Sequence, residues 1–454
     1  MTLIATIVGC LVSRHRPRWQ AVTLLATLAC LARPAWSVEP PTLAAVVMPP
    51  LAFPVDPARA ALGRQIFFDT RLSEPRGTSC ASCHAPQRAY SGNHGSAIGV
   101  PLGSRPSLVG SRNVPSLLYT RYIPALYFYQ DDDSLAPEPI GGLFADGRVN
   151  TLRALAKIPL LHPLEMHNRS EASLARKLQR LYPAELRQNF GVNNVAHPGP
   201  TIEALGLALE AFLQSDEMAP FSSRYDAYVQ GRGQLSAAEK RGLSLFGNPD
   251  KGNCISCHKF DATARAPTRS LFTDFSYDAL AVPRNPAIPA NSANQYFDTG
   301  ICKTAQAQGW RNPEQWCGYF RTPGLRNVAV RERFMHNGAF SKLREVVEFY
   351  ATRSTNPEKW YRSGGAFNDL PERYRGNVNI NSAPYNRRAG STPALTPTEI
   401  DDIVAFLATL TDAQFVEPPL LKPPLLKKTE NIDRQKSIIT DGGKPATPTA
   451  VAAN

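Results

Sequence analysis

Apolar residues recur at helical spacing in three stretches of the chain. Residues 201–214 place Ile202, Leu205, Leu209, Phe212 and Leu213 on one face. Residues 397–410 do the same with Ile400, Ile403, Val404, Leu407 and Leu410. Leu343, Val346, Val347 and Tyr350 line one face of a third helix, a face that must look inward. Start signals agree with this pattern. Thr396-Pro-Thr-Glu399 is a capping box with proline at the first helical position, and Ser236-Ala-Ala-Glu239 caps another helix. Proline supplies 40 of 454 residues, so much of the chain is loop and strands are not expected to dominate. The expected fold class is mainly α with long loops.

No apolar run reaches the roughly 18 residues that a bilayer requires, so no stable membrane span is expected. Apolar residues make up 43% of the chain and charged residues 19%, which excludes a disordered polyelectrolyte. The formal charge is +12, and setting aside the four arginines before residue 38 leaves +8. This basicity is spread along the chain without a Lys/Arg block, so no nucleic-acid partner is expected. A solvated basic surface or a preference for acidic partner proteins accounts for it.

The N-terminus reads as an address. Basic residues 14–20 precede apolar residues 21–32, and Ala35-Trp36-Ser37 offers a cleavage site, the order of a secretory signal over residues 1–37. A lipid anchor at Cys30 is the poorer alternative, because Thr27-Leu28-Ala29 suits one badly. Residues 38–55 form a linker, and the Pro- and Lys-containing segment 416–454 is aperiodic, a disordered tail or docking arm. Export makes a periplasmic location the expectation.

Two C-x-x-C-H motifs carry the chemistry: Cys80-Ala-Ser-Cys83-His84 and Cys254-Ile-Ser-Cys257-His258. Two thiols at this spacing bond to the vinyl groups of a haem, and the adjacent histidine reaches the iron. In a cytosolic protein such a pair would also suit zinc or dithiol chemistry, but the trailing histidine and the export signal favour two covalently bound haem c groups. Cys302 and Cys317 are then left over in an oxidising compartment, where a disulfide closing their short loop is expected. The surroundings repeat: Gly63-Arg-Gln-Ile-Phe67 precedes the first motif and Gly242-Leu-Ser-Leu-Phe246 the second, with a helix following each at a distance. Two cytochrome c-like haem domains follow, residues 56–230 and 231–415. The two motif histidines lie 174 residues apart, more than wrapping one haem requires, which leaves room for substrate pockets.

Further blocks make the resemblance specific: Arg112-Asn113-Val-Pro115-Ser116, Asp146-Gly147-Arg148, His162-Pro163-Leu-Glu165-Met166, Leu325-Arg326-Asn327-Val328 and Phe334-Met335-His336-Asn-Gly338. Over roughly residues 56–412 the chain resembles the bacterial di-haem cytochrome c peroxidase family, including its MauG-like branch. The resemblance implies a peroxide-using enzyme with the N-terminal haem as the peroxide site, its iron held by His84. Family peroxidases often block this iron with a histidine after a Ser-Ile-Gly stretch. Here the stretch reads Ser96-Ala-Ile98-Gly99-Val100, and valine cannot ligate iron. His94 is the nearby substitute, or a solvated loop histidine. The resemblance places the distal acid at Glu165, a group that takes a proton from one peroxide oxygen and returns it to the other. Pro159 matches a pocket position, and Leu155 stands where the family has a glutamine.

The second haem is expected on His258. Its far-side ligand in ordinary peroxidases is a methionine fourteen residues after the histidine of the His-x-Gly block, and counting from His336 lands on Tyr350. MauG-like members also carry tyrosine there. Met335 is a rival that the family does not use. A phenolate stabilises oxidised iron, whereas a thioether raises the potential. Ala145, after Phe144, replaces the tryptophan the family usually places between the haems. The resemblance also implies one calcium ion, with Asn113 as a ligand and the carbonyls of Arg331 and Arg333 as others, although arginine charge nearby weakens a cation site.

Three functions follow. The first is a peroxidase reducing hydrogen peroxide with electrons from a periplasmic donor protein. The second is a MauG-like oxidase of a partner protein's aromatic residues, with Trp310, Trp316 and Trp360 as candidate exits. The third is a non-catalytic di-haem electron carrier, which Val100 argues against.

Overall fold

A computed structural model describes residues 55–130, 136–193, 197–261, 270–292, 296–361 and 365–416. The signal segment, nearly all of the linker and all but the first residue of the tail lie outside the described residues, as do Cys10 and Cys30. Everything described belongs to one compact unit, Thr42–Asn454. The fold is mainly helical. The only strands among the described residues form two short antiparallel pairs, β1 (Tyr127–Tyr129) with β2 (Glu138–Ile140) and β3 (Tyr277–Asp278) with β4 (Phe320–Arg321).

The same helix pairing occurs twice. Helix α1 (Pro57–Phe68) crosses α2 (Pro198–Leu213), and α3 (Ala237–Phe246) crosses α4 (Pro397–Ala408). Both crossings are closest at a glycine. A Cβ on Gly63 would lie 1.9 Å from the carbonyl oxygen of Ala208, and one on Gly242 would lie 2.0 Å from that of Asp402. The next ring down the helix then meets its counterpart: Phe67 packs on Phe212 at 5.2 Å and Phe246 on Phe406 at 5.4 Å. The repeated Gly-x-x-x-Phe is therefore a backbone contact followed by a ring contact. Each crossing seeds a hydrophobic core, one around Phe67, Leu205 and Phe212, the other around Phe246, Phe272 and Phe406.

Capping follows the sequence. Thr396 and Glu399 exchange reciprocal bonds, Thr396 N to Glu399 Oε2 at 2.8 Å and Glu399 N to Thr396 Oγ1 at 3.3 Å, and Ser236 and Glu239 do the same. Helix α2 begins at Pro198, earlier than its apolar period suggests, because proline fits the first turn of a helix.

Buried ion pairs join distant segments. The Arg112 guanidinium donates to Asp146 Oδ2 at 2.7 Å and to both oxygens of Asp298, at 2.5 and 2.7 Å. Arg326 grips Asp226 with two bonds of 2.9 and 2.7 Å. Burial works against the Asp226 charge, yet this grip holds its carboxyl below the usual range. The Asp412 carboxylate, fully buried, accepts from Tyr119 Oη, Asn327 Nδ2 and Ser222 N at 2.6–2.9 Å. Cys302 and Cys317 are joined by a disulfide.

The crossings give a direct test. Replacing Gly242 with alanine drives a methyl group into a backbone carbonyl and should destabilise the fold by about 1–3 kcal/mol or more. Gly199 has open space around it, and Gly199→Ala should stay within about 0.5 kcal/mol of the parent. Denaturant unfolding of the two variants measures the difference.

Candidate functional site

The first motif forms a one-turn helix, Cys80–Cys83, next to α1. The His84 Nδ1 faces two main-chain carbonyls, Tyr90 O and Pro115 O, each at 3.1 Å. It donates to them, which fixes the tautomer and leaves Nε2 as the ligating lone pair. Burial pushes the His84 pKa down to about 4, so the ring is neutral at neutral pH. Cys80 and Cys83 are free thiols with part of their surface open. Burial nevertheless pushes both up to about 12, and the Glu165 charge adds to the effect. Open surface combined with strong desolvation fits thiols on the wall of a sheltered recess, the first chamber.

The Glu165 charge is felt by both thiols. Its side chain keeps 37% of its surface open, yet burial raises its pKa against the opposing pull of His162 and Arg148. The backbone is fixed on both sides: Glu165 N donates to His162 O at 3.1 Å, and Ser104 N donates to Glu165 O at 2.7 Å. Pro159 lies one turn earlier, inside the Leu152–Leu161 helix, and its carbonyl accepts from Met166 N at 3.1 Å. Leu155 of that helix packs against the first core. Val100 is fully buried, held in a loop where Gly99 and Gly338 touch backbone to backbone. His94 is held by its own bond, Nδ1 donating to Leu102 O at 2.9 Å.

The second motif has the same logic. The His258 Nδ1 donates to Phe272 O at 2.9 Å, and burial lowers its pKa. Cys254 and Cys257 are free thiols, each pushed by burial to about 12. Tyr350 lies on the Leu343–Thr352 helix. Burial raises its phenol strongly, and the charges of Cys257, Asp278 and Cys254 push the same way; Tyr350 and Cys254 pack against the same core. Two neighbours carry no sequence signal. Tyr385 lies 6.1 Å from Tyr350, ring to ring, and the Arg353 guanidinium stacks on Tyr385 at 3.9 Å. Trp360 is buried in the second core, its Nε1 bonded to Thr352 Oγ1 at 3.0 Å, and serves packing.

Between the halves, Arg148 stacks on Phe144 at 3.7 Å and donates to both oxygens of Asp146. The Ala145 carbonyl accepts from Arg321 N at 2.9 Å. The methyl group at that position cannot serve as an aromatic relay.

These donors fit two haems. Each chamber offers a thiol pair, a neutral imidazole with its Nδ1 engaged, and a buried guanidinium. Arg331 acts electrostatically on His84, and Arg353 on Tyr350. The Nε of each is buried and finds no hydrogen-bond partner among the described residues. A buried positive charge with an unmet N–H suits an anionic group such as a haem propionate. Among the described residues no group of three or more His, Cys, Asp or Glu is placed to hold a metal ion, whereas a haem iron needs only its axial donors from the protein.

Two of the groups expected at a calcium ion, the Asn113 amide and the Arg333 carbonyl, meet. Asn113 Nδ2 donates to the carbonyls of Arg333 and Met335 at 3.0 and 3.1 Å. Arg331 brings a guanidinium whose pKa burial pushes down to about 10, and Arg333 adds a second positive charge.

Comparison with known proteins agrees with this geometry. The sequence profile of the di-haem cytochrome c peroxidase family matches residues 57–234. The methylamine utilization protein MauG of Paracoccus denitrificans is 34% identical over 379 residues, covering 82% of this chain and 92% of that protein. Cytochrome c551 peroxidase of Nitrosomonas europaea is 24% identical, covering 82% and 84%. The crystal structure of the diheme peroxidase BthA from Burkholderia thailandensis is similar, with a TM-score of 0.77 and 56% identity, over 80% of this chain and 88% of that one. With the paired thiols and histidines in two chambers, these relationships establish that the chain belongs to the di-haem cytochrome c peroxidase and MauG family of oxidoreductases.

Proposed function

We propose that this chain is an exported, periplasmic di-haem enzyme whose first chamber is open to hydrogen peroxide at rest. The observation that carries the reading is the first chamber itself. The Glu165 charge acts on Cys80 and Cys83, and the position where a blocking histidine is expected holds a buried valine. Residues 1–37 direct export, 56–230 form the peroxide-binding lobe and 231–415 the electron-transfer lobe. Cys80 and Cys83 attach the first haem and His84 holds its iron through Nε2. Cys254, Cys257 and His258 do the same for the second, with Tyr350 on the opposite side. When bound, the haems supply the iron that takes up the two oxidising equivalents of peroxide.

The chain's own residues handle the protons. Glu165 accepts the proton of one peroxide oxygen and delivers it to the other, so that the leaving oxygen departs as water. Its raised pKa suits this exchange, and His162, with Nδ1 3.5 Å from Glu165 Oε1, is placed to moderate it. Pro159 shapes the pocket and anchors the turn that carries Glu165. Complete reduction of one peroxide to two waters takes two protons and two electrons.

A second reading is favoured by Tyr350: a MauG-like oxidation of aromatic residues in a partner protein. A phenolate ligand holds the second haem at low potential and favours oxidised states. The Phe144–Arg148 stack, in place of an inter-haem tryptophan, argues against a close copy of that chemistry.

Glu165→Gln should lower kcat for peroxide by about 10²- to 10⁴-fold at unchanged haem content. The carboxylate is the working form, so parent activity should fall as pH drops through the raised Glu165 pKa. That acid limb should vanish in the variant, and a pH–rate profile of both proteins decides it. Tyr350→Met should raise the potential of the second haem, read by spectroelectrochemistry. An unchanged potential would reduce Tyr350 to a packing residue.

A further inference from the structure

The loop closed by the Cys302–Cys317 disulfide carries two tryptophans that belong to neither main core. Trp310 meets Trp316 edge-on at 6.3 Å, and Trp316 meets Tyr319 at 5.4 Å. At the outer end Phe128, 46% exposed, packs on Trp310 at 4.5 Å. At the inner end Tyr319 leads into β4, whose Phe320 is paired with Asp278 of β3. Asp278 Oδ2 accepts from Asn379 Nδ2 at 3.0 Å, the Asn379 carbonyl accepts from Arg353, and Arg353 stacks on Tyr385 beside Tyr350, so the inner end of the row adjoins the second chamber.

The row is also rigid. The Tyr319 carbonyl accepts from Ile301 N at 2.9 Å, and Gly300, at φ +62°, lets that carbonyl come so close that a Cβ would lie 2.0 Å from it. Asn377 Nδ2 donates to the carbonyls of Glu314 and Cys317 at 2.8 and 3.0 Å. Four aromatic rings in succession, from an exposed edge to a haem chamber, add little to core packing. Trp360 differs on each count: it is buried in the second core and its indole N–H is bonded inward.

We propose that Trp310 and Trp316, bridged by Tyr319, are the conduit for single electrons between the second haem and the protein surface. The direction of flow rests on the peroxide reading above. Each peroxide consumed draws two electrons, which enter one at a time at Trp310 from an external one-electron donor. The donor is oxidised, each tryptophan is oxidised and re-reduced in passing, and the protons for water formation come from solvent by way of Glu165. The disulfide holds the two indoles in register. This assignment differs from the inter-haem position at Ala145, which carries no aromatic side chain.

A peroxide-free assay isolates the conduit. The holoenzyme with its second haem reduced is mixed with tris(bipyridine)ruthenium(II) and a cobalt(III) pentaammine quencher. A laser flash then produces ruthenium(III), which takes one electron from the protein surface, and absorbance follows oxidation of the haem from ferrous to ferric. Trp310→Phe and Trp316→Phe should each slow that oxidation by about tenfold or more, while Trp360→Phe matches the parent. Equal rates in the parent and the Trp310→Phe protein would overturn the proposal, as would a slowing confined to Trp360→Phe. Trp310 lies at the surface end, so its variant decides the matter if Trp316→Phe folds poorly. A protein that ignores peroxide would sink the peroxidase reading and leave the flash-driven rates, and the conduit they measure, unaffected.

Discussion

Backbone contact at two glycines underlies the architecture. Gly63 and Gly242 each let a helix press against a carbonyl of its partner, closer than any side chain would allow. Because these contacts fix α1 on α2 and α3 on α4, the segments that follow α1 and α3 start from fixed points. Those segments are the two C-x-x-C-H turns. The imidazoles are then oriented by main-chain carbonyls, Tyr90 and Pro115 for His84 and Phe272 for His258. A carbonyl cannot be lost by side-chain substitution, so the orientation of each proximal histidine is built into the fold.

The two motifs differ in their surroundings. The first presents an acid, Glu165, with Arg148 and His162 around it. The second presents two phenols, Tyr350 and Tyr385, and a guanidinium, Arg353. An acid that gains and loses protons suits bond breaking at oxygen. Phenols in a desolvated pocket beside a cation suit the storage and passage of oxidising equivalents. The asymmetry underlies the proposed division of labour between halves that share one helix pairing. The Arg112 bridge between Asp146 and Asp298 holds motif residues of the first half to a residue of the second.

Much of this was legible in the sequence, for physical reasons that also mark its limits. Covalent haem attachment demands thiols and histidine at fixed local spacing, so both motifs can be read directly. Helix periodicity and capping boxes are local too, and α4 begins where Thr396 and Glu399 place it. The Gly-x-x-x-Phe repeat was visible as a pattern, but its cause, a carbonyl about two angstroms from an absent Cβ, exists only in three dimensions. Tyr385 and Arg353 gave no signal, because one comes from an irregular loop and the other sits at the end of a helix. Arg331 drew notice only for its carbonyl, whereas its buried side chain is what acts on His84. Trp310 and Trp316 stood out by composition, while Tyr319 and Phe128, which complete their row, did not.

The central claim is that the first chamber is open at rest. It is tested most directly by the absorbance spectrum of the diferric holoenzyme before and after one equivalent of hydrogen peroxide, with no reductant present. An immediate spectral change is the predicted result, since Val100, at the position where a blocking histidine is expected, offers no ligand. A spectrum that stays unchanged until the second haem is reduced would contradict the account, and would place this chain among peroxidases that need reductive activation.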